Sequence, residues 1–378
     1  MSEKSSSEFA SLFSIRTIDY SIESLDYLVE ETPNSSEKKE PPPSEPSPDL
    51  NPALRFKHET LLGEGAYGEV WRVQDNFVKR KVAIKMLTNP LEHVVHDCHK
   101  EASLGARVSH PGTPTIYDIG RDEDGRFRVI MEYMEGEGLD KIIRRLQKGV
   151  KATHAEFSFQ ARAQLLLQLL RVLVSSHKEG IVHSDIKPEN ILIGPSKELF
   201  LCDWGLAFEP KINPRTRICG TPAFMAPEQV TLQNISFPSD LFGVASLAYI
   251  LMSLESWHVF EGDLKAYLIE KKTHKPNRID MIHNVHQGRV PSEYRDWIHK
   301  GLSRDPSQRH SNAEEMLNEL EQIISGNICS TCPRTLVKHW GYRYFQFMDR
   351  YPEPVLAGTG IAFILVIAAL MFLGKTLF

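Results

Sequence analysis

A single change of period constrains the fold more than any other feature of the sequence. Short runs rich in β-branched and aromatic residues, broken by Gly or Asp turns, occupy 57–62, 70–74, 81–87, 116–121 and 127–133. Beyond them the spacing becomes helical. Residues 160–177 carry Leu165, Leu166, Leu169, Val172, Leu173 and Ser176 on one stripe. Residues 240–254 are apolar nearly all round, as in a helix buried inside a domain. Ser311-x-x-Glu314 is a capping-box signature opening the amphipathic stretch that ends at Ile324. Strands segregated from helices predict an α+β class: a small β-rich lobe, then a larger helical lobe, over 56–325.

The flanks differ from this body. Before position 51 stand twelve Ser and six Pro, a composition that cannot bury enough apolar area to offset its ordering entropy. Residues 1–55 are therefore expected to be a disordered Ser/Pro-rich tail. Within it, 9–29 is more apolar than a plain linker, so a docking peptide is the alternative to a solvated tail. No apolar core of a signal peptide stands in the first thirty residues, and a cleaved leader is not expected. Residues 355–373 are nineteen without a charge, about 28 Å as a helix, which matches a bilayer core. Trp340, Tyr342, Tyr344, Phe345, Phe347 and Tyr351 precede them like an interfacial belt. Lys338, Arg343 and Arg350 lie before the stretch, against Lys375 after it. The expectation is a juxtamembrane segment at 326–354, one transmembrane helix at 355–373 and a far-side tail at 374–378. The body would then be cytoplasmic on a single-pass membrane protein, with the membrane as a partner.

Composition narrows the function classes. With 44 Lys+Arg against 49 Asp+Glu the formal net charge is −5, which lacks the basic excess of a nucleic-acid binder. Five cysteines in 378 residues are too few for a disulfide scaffold and suit a reducing compartment. Hydrophobic residues at 41% leave room for a real core and exclude a mostly disordered chain.

Four segments carry chemistry. Gly63-Glu64-Gly65-Ala66-Tyr67-Gly68-Glu69-Val70 is a glycine-rich loop whose backbone N–H groups can approach phosphates; the following 69–74 continues as strand, unlike a dinucleotide site. In Val82-Ala83-Ile84-Lys85, alternation puts Ala83 and Lys85 on one face, so an ammonium can sit beneath that loop, and Glu101 can hold it. His183-Ser184-Asp185-Ile186-Lys187-Pro188-Glu189-Asn190 concentrates a base, a cation and an amide. There Asp185 can orient a hydroxyl and accept its proton, Lys187 can steady a phosphoryl group, and Asn190 can ligate a metal. Asp203-Trp204-Gly205 ends a short apolar run and adds a second carboxylate where Mg²⁺ could bridge phosphates.

In this order and spacing, with Ala226-Pro227-Glu228 added, the chain resembles a eukaryotic-type protein serine/threonine kinase over 56–325. The stretch from Gly220 to Gln229 is similar to the peptide-binding segment of bacterial members. The resemblance implies a two-lobed kinase fold that binds ATP and Mg²⁺ and phosphorylates protein Ser/Thr hydroxyls. It places ATP against Gly63, Gly65, Gly68, Val70, Ala83, Lys85, Glu101, Glu132 and Met134, with Glu132 to Met134 as the adenine hinge and Met131 as gatekeeper. Catalysis falls to Asp185 and Lys187, and the metal to Asn190 and Asp203. Thr216 and Thr221 become candidate phosphosites. Glu228 would pair with Arg309, and Asp240 would anchor the catalytic loop.

Two residues depart from the family pattern. Ser184 stands where most members have an arginine that pairs with a phosphorylated activation loop, and a serine cannot supply that bidentate cation. Trp204 replaces the usual Phe after the metal-binding Asp. Cys329-x-x-Cys332 invites zinc or acylation readings against two ordinary cysteines, and Cys219 is redox-sensitive only if its thiolate is stabilised. The reading overall is a membrane-anchored signalling kinase. Its rivals are a membrane-bound pseudokinase acting as a nucleotide-binding scaffold and a small-molecule kinase. Nothing in the pattern requires or forbids dimerisation.

Overall fold

Alternating side chains organise the first lobe. In β3 (Arg80–Leu87) Val82, Ile84 and Met86 share one face, and Ala83, Lys85 and Leu87 the other. The first set packs with Val73 and Ile130 under the partly buried Phe56 and Trp71. The second face is covered by α1 (Glu92–Arg107), which brings Val94, Cys98 and Ala102 at helical spacing against Leu87, Phe127 and Val129. Five antiparallel strands form this sheet, in the order β1 (Phe56–Gly65), β2 (Gly68–Asp75), β3, β5 (Phe127–Glu132) and β4 (Ile116–Arg121). The structure is a computed structural model and describes residues 55–65, 68–88, 91–257, 277–282 and 284–326. By contacts the chain divides into two units, Met1–Asp49 and Leu50–Phe378, and every described residue belongs to the second.

The second lobe is helical around one long apolar rod. Its helices are α2 (Leu139–Gln147), α3 (Lys151–Glu156), α4 (Phe159–Lys178), α5 (Pro227–Thr231), α6 (Phe237–Ser253), α7 (Glu293–Gly301) and α8 (Ala313–Ile324). All six stripe residues of α4 are buried, as their spacing requires. Helix α6 is buried along nearly its whole length, and α4, α7 and α8 pack on it. Trp297 of α7 fills the gap to α8 and donates its indole N–H to the Met316 carbonyl at 2.9 Å. A small sheet of β6 (Glu137–Gly138), β7 (Ile191–Ile193) and β8 (Leu199–Leu201) lies beside the bundle.

The helix starts show how local chemistry sets boundaries. At α8 the cap is Asn312, whose Oδ1 accepts from the Glu315 N–H at 2.8 Å, while Glu315 reaches back to the Ser311 N–H at 2.7 Å. The capping motif therefore sits one residue later than the expected Ser311/Glu314 pair. Lys300 of α7, 2.7 Å from Glu315, selects this register. The buried brace of the lobe is Glu228 with Arg309: two parallel N–H bonds of 2.7 and 2.8 Å, with the arginine side chain wholly inaccessible. Further Arg309 N–H groups go to the Ser303, Pro238 and Arg304 carbonyls.

The membrane-anchored architecture is corrected. Among the described residues no helix is long and apolar enough to cross a membrane. The longest, α4, carries Arg162, Arg171 and Lys178; the most apolar, α6, holds seventeen residues, includes Asp240 and is consumed by the core. The stretch 355–373 lies outside the described residues, as do the aromatic approach, the Cys329/Cys332 pair and the N-terminal tail. Over the described residues the fold is the two-lobed one. The single-pass placement and the membrane as a partner are not carried forward.

Two outcomes follow from these contacts. Arg309→Met should lower stability by about 3–5 kcal/mol in denaturant unfolding, because Glu228 is left buried and unpaired. The Lys300 and Ser311 contacts hold the Glu315 carboxyl down at about 2. A depressed value stabilises the fold above the ordinary glutamate range, and that gain is lost as pH falls toward 2. The melting temperature of Glu315→Gln should therefore lie below the parent's at neutral pH and converge on it between about pH 4 and pH 2.

Candidate active site

The first-lobe part of the candidate site is built on β1–β3. The glycine-rich segment is the β1–β2 hairpin, with Gly63 opposite Val70 and Gly65 opposite Gly68. Its glycines answer to different needs. A Cβ on Gly68 would stand 2.1 Å from the Met86 carbonyl oxygen, so the neighbouring strand excludes any side chain there. At Gly63 a Cβ meets nothing within 4 Å. Val70 lies opposite Lys85, and Ala83 opposite Met131, so all four share the face toward α1. On that face Lys85 Nζ donates to both Glu101 oxygens, at 2.8 and 2.7 Å. Burial alone would lower the Lys85 ammonium, but the carboxylate of Glu101 outweighs it and the net shift is upward. Glu132 ends β5, where its carboxylate accepts from the Thr115 hydroxyl at 2.9 Å, and Met134 follows in the link to the second lobe.

The residues of the 183–190 loop hang from α6. Asp240, in its first turn, accepts the Ser184 N–H on Oδ1 at 2.8 Å and the His183 N–H on Oδ2 at 2.9 Å. His177 Nε2, at the end of α4, lies 2.9 Å from the same Oδ2. These bonds hold Ser184 at φ 71°, a left-handed conformation that costs a residue with a Cβ about 1–3 kcal/mol unless its surroundings impose it.

The next residue, Asp185, is 6% exposed with both oxygens engaged. Oδ1 accepts from the Thr221 N–H and hydroxyl, each at 2.9 Å; Oδ2 meets Lys187 Nζ at 2.6 Å and Asn190 Nδ2 at 3.2 Å. Burial pushes its carboxyl up, but Lys187 and Thr221 together carry it below the usual aspartate range. Thr221 is thus a partner of Asp185 and, through 3.0 Å, of Lys187, whereas Thr216 is exposed.

Asn190 and Asp203 come together because the strands between them form a hairpin. Ile191 pairs with Leu201, and the Cys202 N–H donates to the Asn190 carbonyl at 2.8 Å. Asp203 takes φ 61° and lies near the Lys85–Glu101 pair: a Cβ on Gly205 would touch Asp203 Oδ1 at 3.0 Å and Glu101 Oε2 at 3.4 Å. The amide nitrogen of Asn190 is spent on Asp185, which leaves its oxygen to offer a cation beside the Asp203 carboxylate. Trp204 is buried edge-on against His183, ring centroids 4.8 Å apart. It fits beneath α1 because Gly105 lacks a Cβ, which would otherwise stand 3.3 Å from the indole. Two thiols flank the site. Burial raises Cys98 to about 11 and Cys202 to about 12.

The expected site residues therefore come from β1, β2, β3, α1, β5, the 183–190 loop and the turn after β8, with Glu228, Arg309 and Asp240 in the helical lobe. Sequence reasoning did not single out His177 or Gly105, and it met Gln229 only as the last residue of the peptide-binding-like stretch. A polar residue closing the apolar stripe of α4 is a faint signal for His177; no pattern marks Gly105.

A β-rich lobe carrying a lysine–glutamate pair, set over a helical lobe carrying an Asp/Lys/Asn loop, defines a two-lobed phosphotransferase. The protein kinase domain model matches residues 56–320, and the chain belongs to that family. The expectation of an enzyme of the protein kinase class is borne out. The chain is similar to the serine/threonine-protein kinase pkn3 of Myxococcus xanthus, 28% identical over 289 residues, covering 72% of this chain and 50% of that protein. It is also similar to PknD of Protochlamydia amoebophila, 27% identical over 292 residues (70% and 29%), and to PknA of Mycobacterium tuberculosis, 26% over 283 residues (72% and 62%). The match thus spans 29–62% of these relatives' own lengths.

The Gly105–Trp204 contact has a direct test. Gly105→Leu should cost about 1–3 kcal/mol in denaturant unfolding by shifting α1 off the indole. Gly105→Ala should stay within about 1 kcal/mol of the parent, because its gain in helix propensity offsets the tight contact.

Proposed function

We propose that this chain is a serine/threonine protein kinase, transferring the γ-phosphoryl of ATP to a hydroxyl of a protein substrate. The observation that carries the reading is the convergence of Lys85–Glu101, Asp203 and Asn190 beside Asp185–Lys187–Thr221, groups drawn from both lobes.

In this reading the β1–β2 hairpin covers the phosphates, Val70 and Ala83 line the adenine side, and backbone groups at Glu132 and Met134 bind the adenine edge. Lys85, oriented by Glu101, pairs with phosphate oxygens. Asn190 and Asp203 would hold magnesium. Two hard oxygen donors fit an ion that keeps waters and takes its remaining ligands from phosphate. When bound, magnesium neutralises charge on the phosphate oxygens.

Asp185 orients the attacking hydroxyl. Its lowered pKa makes it a weak base, suited to accepting the proton late, when the oxygen–phosphorus bond is already forming. Lys187, 3.0 Å from the Thr221 hydroxyl, places positive charge next to the transferring group. Catalysis of this kind is mostly positioning and charge neutralisation. The relatives named as serine/threonine-protein kinases support the choice of hydroxyl.

Asp185→Asn keeps the shape of the loop and removes the acceptor charge. Phosphate incorporation into a Ser/Thr peptide should fall by a factor of about 10²–10⁴ while ATP affinity, read by calorimetry, stays near the parent value. Turnover equal to the parent's would refute the role given to Asp185.

A further inference from the structure

One face of the helical lobe is charged out of proportion to the rest of the chain. Between Leu139 and Lys151 five cations stand against the single carboxylate of Asp140, on a chain whose formal net charge is −5. Helix α2 buries Leu139, Ile142, Ile143 and Leu146. Arg144, Arg145 and Lys148 follow Lys141 at three, four and seven residues, so all four share the opposite face. Lys151 opens α3 just beyond.

Two of these cations serve the fold. Arg144 pairs with Asp140 at 2.9 Å, and Arg145 with Glu137 at 2.7 Å. Lys141, Lys148 and Lys151 are exposed and meet no carboxylate within ion-pair distance among the described residues. Helix stability does not call for all of them, since Lys141 lies in the first turn of α2, where a cation opposes the helix dipole.

An apolar ridge stands beside the row. Gly149 takes φ 71°, and a Cβ there would stand 2.4 Å from His286 Nδ1, so the turn between α2 and α3 touches the stretch 284–287. Val150 and Val285 each adjoin this contact, and they are 38% and 81% exposed. Gln287 pins the ridge from below. Its Oε1 accepts from Arg162 at 2.7 Å, and its Nε2 donates to the Met252 carbonyl at 2.7 Å. Arg162 is itself buried and donates to the Phe157 and Leu251 carbonyls. Val285 is therefore displayed on a fixed support.

Charge and ridge together select the occupant. Carboxylates match the three ammonium groups, and an apolar side chain among them covers the valines, which a nucleic-acid backbone would leave wet. Helix α2 packs on β7 and on the 188–190 turn, so an occupant lies on the flank of the 183–190 loop. We propose that Lys141, Lys148 and Lys151, with Val150 and Val285, form a docking surface for an acidic protein segment that carries an apolar anchor. Binding there needs no phosphoryl transfer and is measurable apart from the function proposed above.

The test uses the full chain and three labelled synthetic peptides: a Glu/Leu peptide, the same with Gln for Glu, and the same with Gln for Leu. Affinity is read by fluorescence anisotropy at about 0.15 M salt. The Glu/Leu peptide should bind the parent, and each Gln peptide about tenfold more weakly. Lys141→Glu/Lys148→Glu/Lys151→Glu should weaken the Glu/Leu peptide about tenfold or more, and Lys141→Gln/Lys148→Gln/Lys151→Gln by less. Val285→Asp should cost about three- to tenfold. Lys57→Glu/Lys79→Glu/Lys81→Glu, the same change of net charge on exposed lysines of the first lobe, should stay within about twofold of the parent. Parent-like affinity in the 141/148/151 Glu variant, an equal loss in the first-lobe variant, or no binding of the Glu/Leu peptide by the parent would overturn the proposal. So would tighter binding of a duplex DNA of equal charge, or a parent dimer that the 141/148/151 Glu variant loses in sedimentation.

Discussion

One buried carboxylate governs the geometry of the site. Asp240 sits at the start of α6, itself the most deeply buried helix described, and receives the backbone N–H groups of His183 and Ser184. Without it, Ser184 would relax out of its left-handed conformation, and Asp185, next in the chain, would turn away from Lys187 and Asn190. A charge of this kind is tolerable inside a protein only when its lone pairs are filled, and the His177 ring fills what the backbone leaves. The hydrophobic packing of α6 therefore becomes angular precision at the residue directly before Asp185.

The other half of the site depends on contacts over long sequence distances. Helix α1 has one face for the sheet and one position, Glu101, for Lys85, so the ion pair is as accurate as the packing of Val94, Cys98 and Ala102. The β7–β8 hairpin does the same for Asn190 and Asp203, turning a gap in sequence into adjacency. Between them lies Trp204, seated on His183 and under Gly105. Movement of α1 would be felt by Asp203 through this indole. Arg107, at the end of the same helix, extends the link: it meets Glu209 at 2.8 Å and the Glu179 carbonyl at 3.0 Å.

Much of this was legible in the residues, for identifiable reasons. Strand alternation and the leucine stripe of α4 depend only on local period, and the structure returns them with ends moved by no more than three residues. The start of α8 shows the limit. Ser311 and Asn312 are both good caps, and Glu314 and Glu315 both good partners, so the sequence satisfies two registers equally. Lys300, from another helix, decides between them. The hydrogen bond from Gln229 to the Ser184 carbonyl was illegible because a glutamine carries no periodic signal and its partner lies 45 residues away. The two glycines at 63 and 68 looked equivalent, yet only Gly68 is demanded by a neighbouring strand.

The thiols carry a practical consequence. Cys98 backs the Lys85–Glu101 pair and Cys202 directly precedes Asp203, and burial keeps both protonated far into alkaline solution. Electrophilic reagents react through the ionised sulfur, so burial disfavours both thiols as their targets. Of the three cysteines described, Cys219 alone is both partly accessible and in contact with a guanidinium, that of Arg215 at 2.8 Å. A maleimide or iodoacetamide tag would accordingly favour Cys219, in the segment between Asp203 and Ala226, over Cys98 and Cys202.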